Sequence, residues 1–129
     1  MPVARLKKRT DYLRVAAARN ATRTQTVIVQ CCLTKNEGQQ AEVRVGFTAS
    51  KRVGNAVYRN RAKRRLRAWV DQHLKTKLPS PFKESIDFVF IALTSTVETD
   101  FSKLSADLEF GIERCLRHII SAKSKAVSN

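Results

Sequence analysis

Hydrophobic and polar residues alternate most regularly in the segment 43–49. Val43, Val45, Phe47 and Ala49 recur at every second position, and the residues between them are polar or small. A pleated strand imposes this period of two, because successive side chains point to opposite faces of the sheet. The segment is therefore predicted as a β-strand with one face in the core and the other towards solvent or a ligand.

Two other segments are apolar on both faces and predict strands that are covered on both sides. They read T-V-I-V-Q-C-C-L over 26–33 and I-D-F-V-F-I-A-L over 86–93. Runs of this kind, rich in β-branched and aromatic residues, are typical of central strands. Polar residues with turn chemistry over 34–40 separate the first of these strands from the strand at 43–49.

Apolar residues spaced three or four positions apart predict two long helices. The first spans about 56–77 and ends before Pro79 and Pro81, and the second begins after a cap at Asp100. The apolar stripes consist of Tyr58, Ala62, Leu66, Trp69 and His73 in the first helix and of Phe101, Leu104, Leu108, Ile112, Cys115 and Ile119 in the second.

A shorter, alanine-rich helix is predicted over 12–19, with Thr10 as its N-cap. The elements then follow the order α-β-β-α-β-α around one central sheet, which is an α+β arrangement. The 129 residues fit a single domain. That domain is expected to cover 1–129, with frayed ends at about 1–8 and 121–129.

The cationic residues are concentrated in two segments. The chain has 25 Lys and Arg against 11 Asp and Glu, a net charge of +14, and 15 of the cations lie within 5–23 and 51–67. Eight basic residues and no acidic one occupy 51–67. Because like charges three and four residues apart destabilise a helix, this segment is expected to bind a polyanion. Nucleic acid is the obvious polyanion.

The residue types in the basic segment suit structured RNA. Arginine offers a planar fork that matches phosphate oxygens, and Asn60 can pair with a base edge or a 2′-hydroxyl group. Gly54 and Asn55 allow close approach of the backbone to an anion at the helix start, or they only make the turn and the cap. If about six cations each displace a counterion, a plot of the logarithm of the binding affinity against the logarithm of the salt concentration has a slope of roughly −4 to −5.

The three cysteines, Cys31, Cys32 and Cys115, are expected to be buried reduced thiols. Cys31 and Cys32 point to opposite faces of a strand and therefore cannot jointly hold one metal ion. No apolar run approaches the roughly 20 residues of a membrane helix, and the first residues lack the apolar stretch of a secretory signal. A cytoplasmic protein without membrane contact is expected.

The same residues bear on three other function classes. A nuclease with its own active site needs clustered carboxylates or a positioned histidine. The acidic candidates instead fit a strand edge and a helix cap; they are Asp87, Glu98 and Asp100. The two histidines, His73 and His118, fit structural positions. A DNA-binding helix-turn-helix is disfavoured because strands precede the basic helix. A ribosomal protein or a general RNA chaperone stays open as the alternative.

The segment 44–67 reads R-V-G-F-T-A-S-K-R-V-G-N-A-V-Y-R-N-R-A-K-R-R-L-R and closely resembles the signature of the bacterial ribonuclease P protein subunit. The match includes the element Arg59, Asn60 and Arg61, and it extends to L-K-K-R-T-D-Y near the start and D-F-V-F-I-A before the last helix. The resemblance implies a subunit that joins a catalytic RNA and assists removal of the 5′ leader from precursor tRNA. It also implies a ribosomal protein S5 domain 2-like fold with an unusual left-handed crossover.

The resemblance implies two sets of binding residues, with no catalytic residue and no metal site in the protein itself. In the family the basic helix lies against the catalytic RNA, and a cleft between the first helix and the sheet holds the single-stranded leader. Mg²⁺ is implied to be held chiefly by RNA, and the free protein is expected to be monomeric. The RNA-binding set is Lys51, Arg52, Asn55, Arg59, Asn60, Arg61, Lys63, Arg64, Arg65 and Arg67, and the leader-binding set is Lys8, Arg9, Tyr12 and Phe47.

Tyr12 matches the first aromatic position of the family's leader cleft, where it can stack on a base; the alternative role is ordinary packing on the sheet. The chain departs from the family pattern at three positions. Ala16 and Val29 stand where aromatic residues are common, and Leu93 stands where an arginine commonly follows the strand. The resemblance therefore implies the leader contacts less strongly than the contacts of the basic helix.

Overall fold

The computed structural model describes residues 3–34, 41–78 and 84–127. It contains five strands and three α-helices. In chain order these are β1 (Val3–Arg5), α1 (Arg9–Ala17), β2 (Ala21–Arg23), β3 (Val27–Thr34), β4 (Val43–Ala49), α2 (Ala56–Lys77), β5 (Ser85–Ala92) and α3 (Phe101–Val127). Short 3₁₀ helices at Lys51–Val53 and Thr94–Thr96 precede α2 and α3.

The strands form one mixed sheet in the order β1-β4-β5-β3-β2. β5 is the central strand and pairs in parallel with β4 and antiparallel with β3. α2 links the parallel neighbours β4 and β5, so it must cross a face of the sheet. The central position of β5 explains why its sequence is apolar on both sides, and the α+β class predicted from the sequence is confirmed.

The two faces of the sheet are covered by different helices. α2 and α3 pack on one face around the main core, where Trp69 and Leu108 meet Val45 and Phe88 from the strands. α1 covers part of the other face with a smaller cluster, formed by Leu6, Val15, Cys32 and Val89. The sheet therefore separates the basic helix α2 from the short helix α1.

The elements with the clearest hydrophobic periodicity are confirmed. β4 and α2 have the predicted bounds, and β3 and β5 differ from the predicted segments by one residue at each end. Cys31 lies in the main core and Cys32 in the cluster under α1, as the alternation of a strand requires. The predicted turn residues 35–40 and the prolines Pro79 and Pro81 lie outside the described residues.

Two strands and one helix cap were not predicted correctly. β1 and β2 have three residues each, too few for a hydrophobic period to show, and they lie at the edges of the sheet. The predicted frayed segment 1–8 therefore contains a paired strand. Thr10 is not the N-cap of α1, because the helix begins at Arg9 and Lys8 is the cap residue.

Candidate nucleic-acid interface

The start of α2 presents two free cations and a capped helix end. Lys51 and Arg52 are exposed on the 3₁₀ turn, and Gly54, with a φ angle of 138°, lets the chain change direction. Asn55 is the N-cap, and its Oδ1 accepts a hydrogen bond from the backbone N–H of Tyr58 at 3.2 Å. The capping role that the sequence left open for Asn55 is confirmed.

The basic side chains of α2 fall into three groups along the helix. Asn60, Arg61 and Arg64 are exposed. Arg65 points towards the start of α3. The third group, which is half-buried and lies at the edge nearer the sheet, consists of Arg59, Lys63 and Arg67. Their spacing of four residues explains why these three share one side of the helix.

Arg65 is engaged within the protein. Its Nη1 donates hydrogen bonds to the carbonyl oxygens of Thr96 at 2.8 Å and Val97 at 3.0 Å, and its Nη2 donates to that of Thr99. These carbonyls belong to the turn before α3, so the guanidinium fastens α2 to that turn. Arg65, which the sequence grouped with the RNA-binding residues, therefore has its donors directed at protein.

Phe47 lies on the same side of the sheet as α2. Its ring stacks on Phe90 with 5.7 Å between centroids, and the guanidinium carbons of Arg5 and Arg67 lie 5.1 and 5.8 Å from its centre. The sheet separates Phe47 from Tyr12, so these two members of the predicted leader-binding set lie on opposite faces. The alternation of β4 explains this, because Phe47 shares a face with the core residue Val45.

Arg5 is a candidate interface residue that the sequence analysis missed. It lies on β1 opposite Val45 and reaches the Phe47 ring beside Arg67. The periodicity of the sequence gave no signal for it, because the pairing of β1 with β4 joins residues about 40 positions apart.

The Nε atoms of Arg59 and Arg67 are buried and have no hydrogen-bond partner among the described residues.

The described part of the chain does not neutralise the charge of this surface. None of the cations over 51–67 forms an ion pair with another described residue. The ion pairs that do form involve α1, the strands and α3, and one of them joins Lys77 at the end of α2 to Glu109 of α3. A dense group of unpaired arginines on one helix is what a polyanion-binding surface requires.

The other face of the sheet is partly covered by α1. The ring of Tyr12 lies on the backbone of β4 at Gly46, where a Cβ atom would be only 2.6 Å from the ring. Tyr12 is half-buried against the cluster under α1, so the packing role weighed for it is present. Lys8 and Arg9 are exposed at the start of α1, within one turn of Tyr12.

A buried carboxylate holds α1 to the sheet. Asp87 is fully buried, and its carboxylate accepts hydrogen bonds from Arg44 on β4 and from Arg14 on α1. Burial by itself would raise the pKa of Asp87, but hydrogen bonds from Arg44, Arg14 and Thr34 outweigh it and hold the pKa below its ordinary value. Asp87 lies near the beginning of β5, which is the central strand of the sheet.

Nearly the whole chain is similar to proteins of a known family. A profile of the Ribonuclease P family matches residues 2–122, which is nearly the whole chain. The chain belongs to the ribonuclease P protein family. It is thus a protein subunit of the endoribonuclease that matures the 5′ end of tRNA, and membership implies a partnership with the ribonuclease P RNA. This decides against the ribosomal or chaperone alternative.

Relatives of known identity agree with this assignment. The ribonuclease P protein component of Paramagnetospirillum magneticum is 43% identical over 111 residues, which cover 85% of this chain and 80% of the relative. The corresponding component of Ruegeria pomeroyi is 40% identical over 119 residues, covering 92% of this chain and 87% of the relative.

Solved structures of ribonuclease P proteins share the fold. The protein from Staphylococcus aureus matches with a TM-score of 0.65 and 26% identity, over 84% of this chain and 92% of that one. The protein from Thermotoga maritima matches with a TM-score of 0.63 over 81% and 90% of the two chains. At 22% identity the second likeness concerns the fold alone.

The three departures from the ribonuclease P pattern have different structural settings. Val29 is fully buried in the main core, so it does not border the cleft; its neighbours Ile28 and Gln30 face that side. Ala16 is exposed on α1. Leu93 lines a cavity of about 530 Å³ at the end of the sheet, together with Ile28, Ile91, Arg23 and Arg52. Only two of the three departures therefore affect surfaces that RNA can reach.

The cysteines and histidines have different surroundings in the structure. All three cysteines are buried and unbridged, and contact with Cys115 together with burial raises the pKa of the Cys31 thiol. His73 is half-buried with its ring tilted against Trp69, and His118 is exposed. In the described ranges, no three His, Cys, Asp or Glu residues are grouped to hold a metal ion, and no helix could span a membrane.

Proposed function

We propose that this ribonuclease P protein uses the two faces of its sheet for two different RNAs. The α2 side binds the catalytic RNA, and the cleft beside α1 holds the single-stranded leader of precursor tRNA. This division rests on the different side chains of the two faces. Unpaired arginines line one face, and an aromatic ring and two exposed cations line the other.

The proposed surface for the catalytic RNA consists of the cations that the protein leaves free. Arg61 and Arg64 are exposed on the outer side of α2, and Asn60 adds a group that can both donate and accept hydrogen bonds. Arg5 and Arg67 extend the surface across the Phe47 ring. Lys51, Arg52, Arg59 and Lys63 complete it at the start and along the edge of α2.

The proposed leader cleft uses stacking and a few phosphate contacts. Tyr12 keeps part of its ring accessible while its packing on Gly46 fixes the ring's orientation. Lys8 and Arg9 can neutralise phosphates of a strand that passes over the start of α1. Stacking is tolerant of base identity, which suits a protein that must accept many different leaders.

The protein's part in cleavage is substrate binding and screening of phosphate charge. Mg²⁺ ions that take part in bond breaking are proposed to be held chiefly by the RNA, and the protein's cations reduce the repulsion between two RNA molecules. We expect the free protein to be monomeric and to act in the cytoplasm. Incubated with precursor tRNA at near-physiological Mg²⁺, the protein should support cleavage only when the cognate catalytic RNA is present.

Variants on the two faces test the division directly. Arg61→Ala combined with Arg64→Ala should weaken binding of the catalytic RNA by about tenfold or more, since charge-assisted contacts are lost. Tyr12→Ala should instead lower the affinity of the assembled enzyme for precursor tRNA relative to mature tRNA. Arg117→Ala, at an exposed arginine on α3, serves as a matched control. Equal losses in both assays for both variants would contradict separate surfaces.

A further inference from the structure

An open pocket of about 680 Å³ lies between α2 and the first turn of α3. It combines a cluster of arginines with one aromatic ring and one carboxylate. Its lining residues are Arg61, Arg64, Arg65, Arg67, Ala68, Asp71 and Phe101. The mixture differs from the rest of the α2 surface, because Phe101 offers a flat apolar face beside charged groups.

Phe101 belongs to the apolar stripe predicted for α3, but the structure leaves it exposed. It is the first member of the apolar stripe of α3, but it is 40% exposed, whereas Leu104 and Leu108 of the same stripe are fully buried. The stripe of α3 therefore extends one residue beyond the core. Its exposed end lies beside the arginines that the proposed function assigns to the catalytic RNA.

Two contacts fix the position of Phe101 relative to α2. Arg65 binds the carbonyl groups of the turn just before α3, and the indole Nε1 of Trp69 donates to Ser105 Oγ at 2.8 Å. Phe101 lies between these contacts along α3, one helical turn before Ser105. The ring is therefore held beside α2 before any RNA arrives, which lowers the entropy cost of binding.

We propose that Phe101 is a stacking platform for an unpaired base of the catalytic RNA, whose flanking phosphates pair with Arg61 and Arg64. This proposal rests on the proposed role of α2 as the RNA-binding helix. A base fits the pocket better than a phosphate does, because Asp71 would repel a phosphate but can accept a hydrogen bond from an exocyclic amino group. An aromatic ring stacks on any base and needs only that the base be unpaired.

The test compares two exposed phenylalanines on α3. Phe101→Leu keeps an apolar side chain but removes the aromatic face, and it should weaken binding of the catalytic RNA by about 5- to 140-fold. Phe101→Tyr should bind like the native protein. Phe110→Leu, at a 51% exposed ring that does not line this pocket, is the matched control and should also bind like the native protein. The salt dependence of Phe101→Leu should stay native, because no charge is removed.

A tryptophan at the same position gives a readout that does not depend on affinity. The native chain has one tryptophan, Trp69, which is fully buried, so Phe101→Trp adds a surface fluorophore. Saturation with the catalytic RNA should quench its emission strongly. Unquenched emission, or native affinity of Phe101→Leu while Arg61→Ala and Arg64→Ala bind weakly, would overturn the stacking proposal alone. Native affinity of the arginine variants would overturn the RNA-binding role of α2 instead.

Discussion

Arg44 and Asp87 form a bidentate ion pair across neighbouring strands. Arg44 Nε donates to Asp87 Oδ1 at 2.8 Å, and Arg44 Nη2 donates to Oδ2 at 2.7 Å. The two residues are direct partners in the register of β4 and β5. Because Arg14 of α1 also donates to Asp87, this carboxylate connects α1, which borders the proposed leader cleft, to the centre of the sheet.

Asp87→Asn is expected to destabilise the protein by about 2 to 3 kcal/mol at neutral pH. The typical cost of breaking a buried pair is larger, about 3 to 5 kcal/mol, but Arg14 and Arg44 are partly exposed and can be rehydrated. Urea unfolding of both proteins at pH 7 measures the difference. Asp100→Asn, at an exposed carboxylate before α3, is the control and should change stability little.

The destabilisation by Asp87→Asn should depend on pH with a definite sign. The pKa of Asp87 is lower in the folded than in the unfolded protein, so its ionised form stabilises the fold. That contribution is complete above the unfolded pKa of about 3.9 and is lost as pH falls through the folded value. The difference between native protein and variant should therefore shrink below about pH 4. A constant difference down to pH 2 would contradict the ion pair.

Arg65→Lys should lower stability although it preserves the charge. Lysine cannot reproduce the fork that reaches Thr96, Val97 and Thr99, and we expect a loss of about 1 to 2 kcal/mol in the free energy of unfolding. Arg64→Lys, at the exposed neighbouring position, should stay within about 0.5 kcal/mol of the native protein. Equal stabilities of the two variants would show that the carbonyl contacts contribute nothing.

The salt dependence of RNA binding should distinguish free arginines from the engaged one. Replacing Arg61 or Arg64 by alanine should each reduce the slope of log affinity against log salt by about 0.7 to 0.9. Replacing Arg65 by alanine should leave the slope unchanged, because its guanidinium already pairs with carbonyl groups. Titrations of the catalytic RNA at several salt concentrations give the slopes. A reduced slope for the Arg65 variant would mean that this residue also meets phosphate.

Gly46→Ala should weaken leader binding through Tyr12. A Cβ atom at residue 46 would lie 2.6 Å from the tyrosine ring, so the ring must move from its place on the sheet. We expect reduced affinity for precursor tRNA and little change in binding of the catalytic RNA. In a Tyr12→Ala background the same substitution should have almost no further effect, since the clash is gone. Additive losses would contradict the coupling of the two residues.

The sequence was sufficient wherever local pattern determines structure. The bounds of α2 follow from its cap at Asn55 and its apolar stripe, and the alternation of 43–49 correctly placed Val43 and Val45 in the core. The cluster of cations on α2 is equally a property of neighbouring residues. These features depend on interactions within a few positions, which a single sequence displays directly.

Tertiary structure alone decided which side chains are free. Arg64 and Arg65 are adjacent and identical in type, but among the described residues only Arg65 finds carbonyl acceptors, 31 or more positions away. Phe47 and Tyr12 were grouped from the sequence, yet the sheet lies between them because the face of a strand is set by the helices that cover it. Asp87 gained two arginine partners through strand register and the position of α1. Such contacts join segments that are distant in the sequence, so the local hydrophobic periodicity does not predict them.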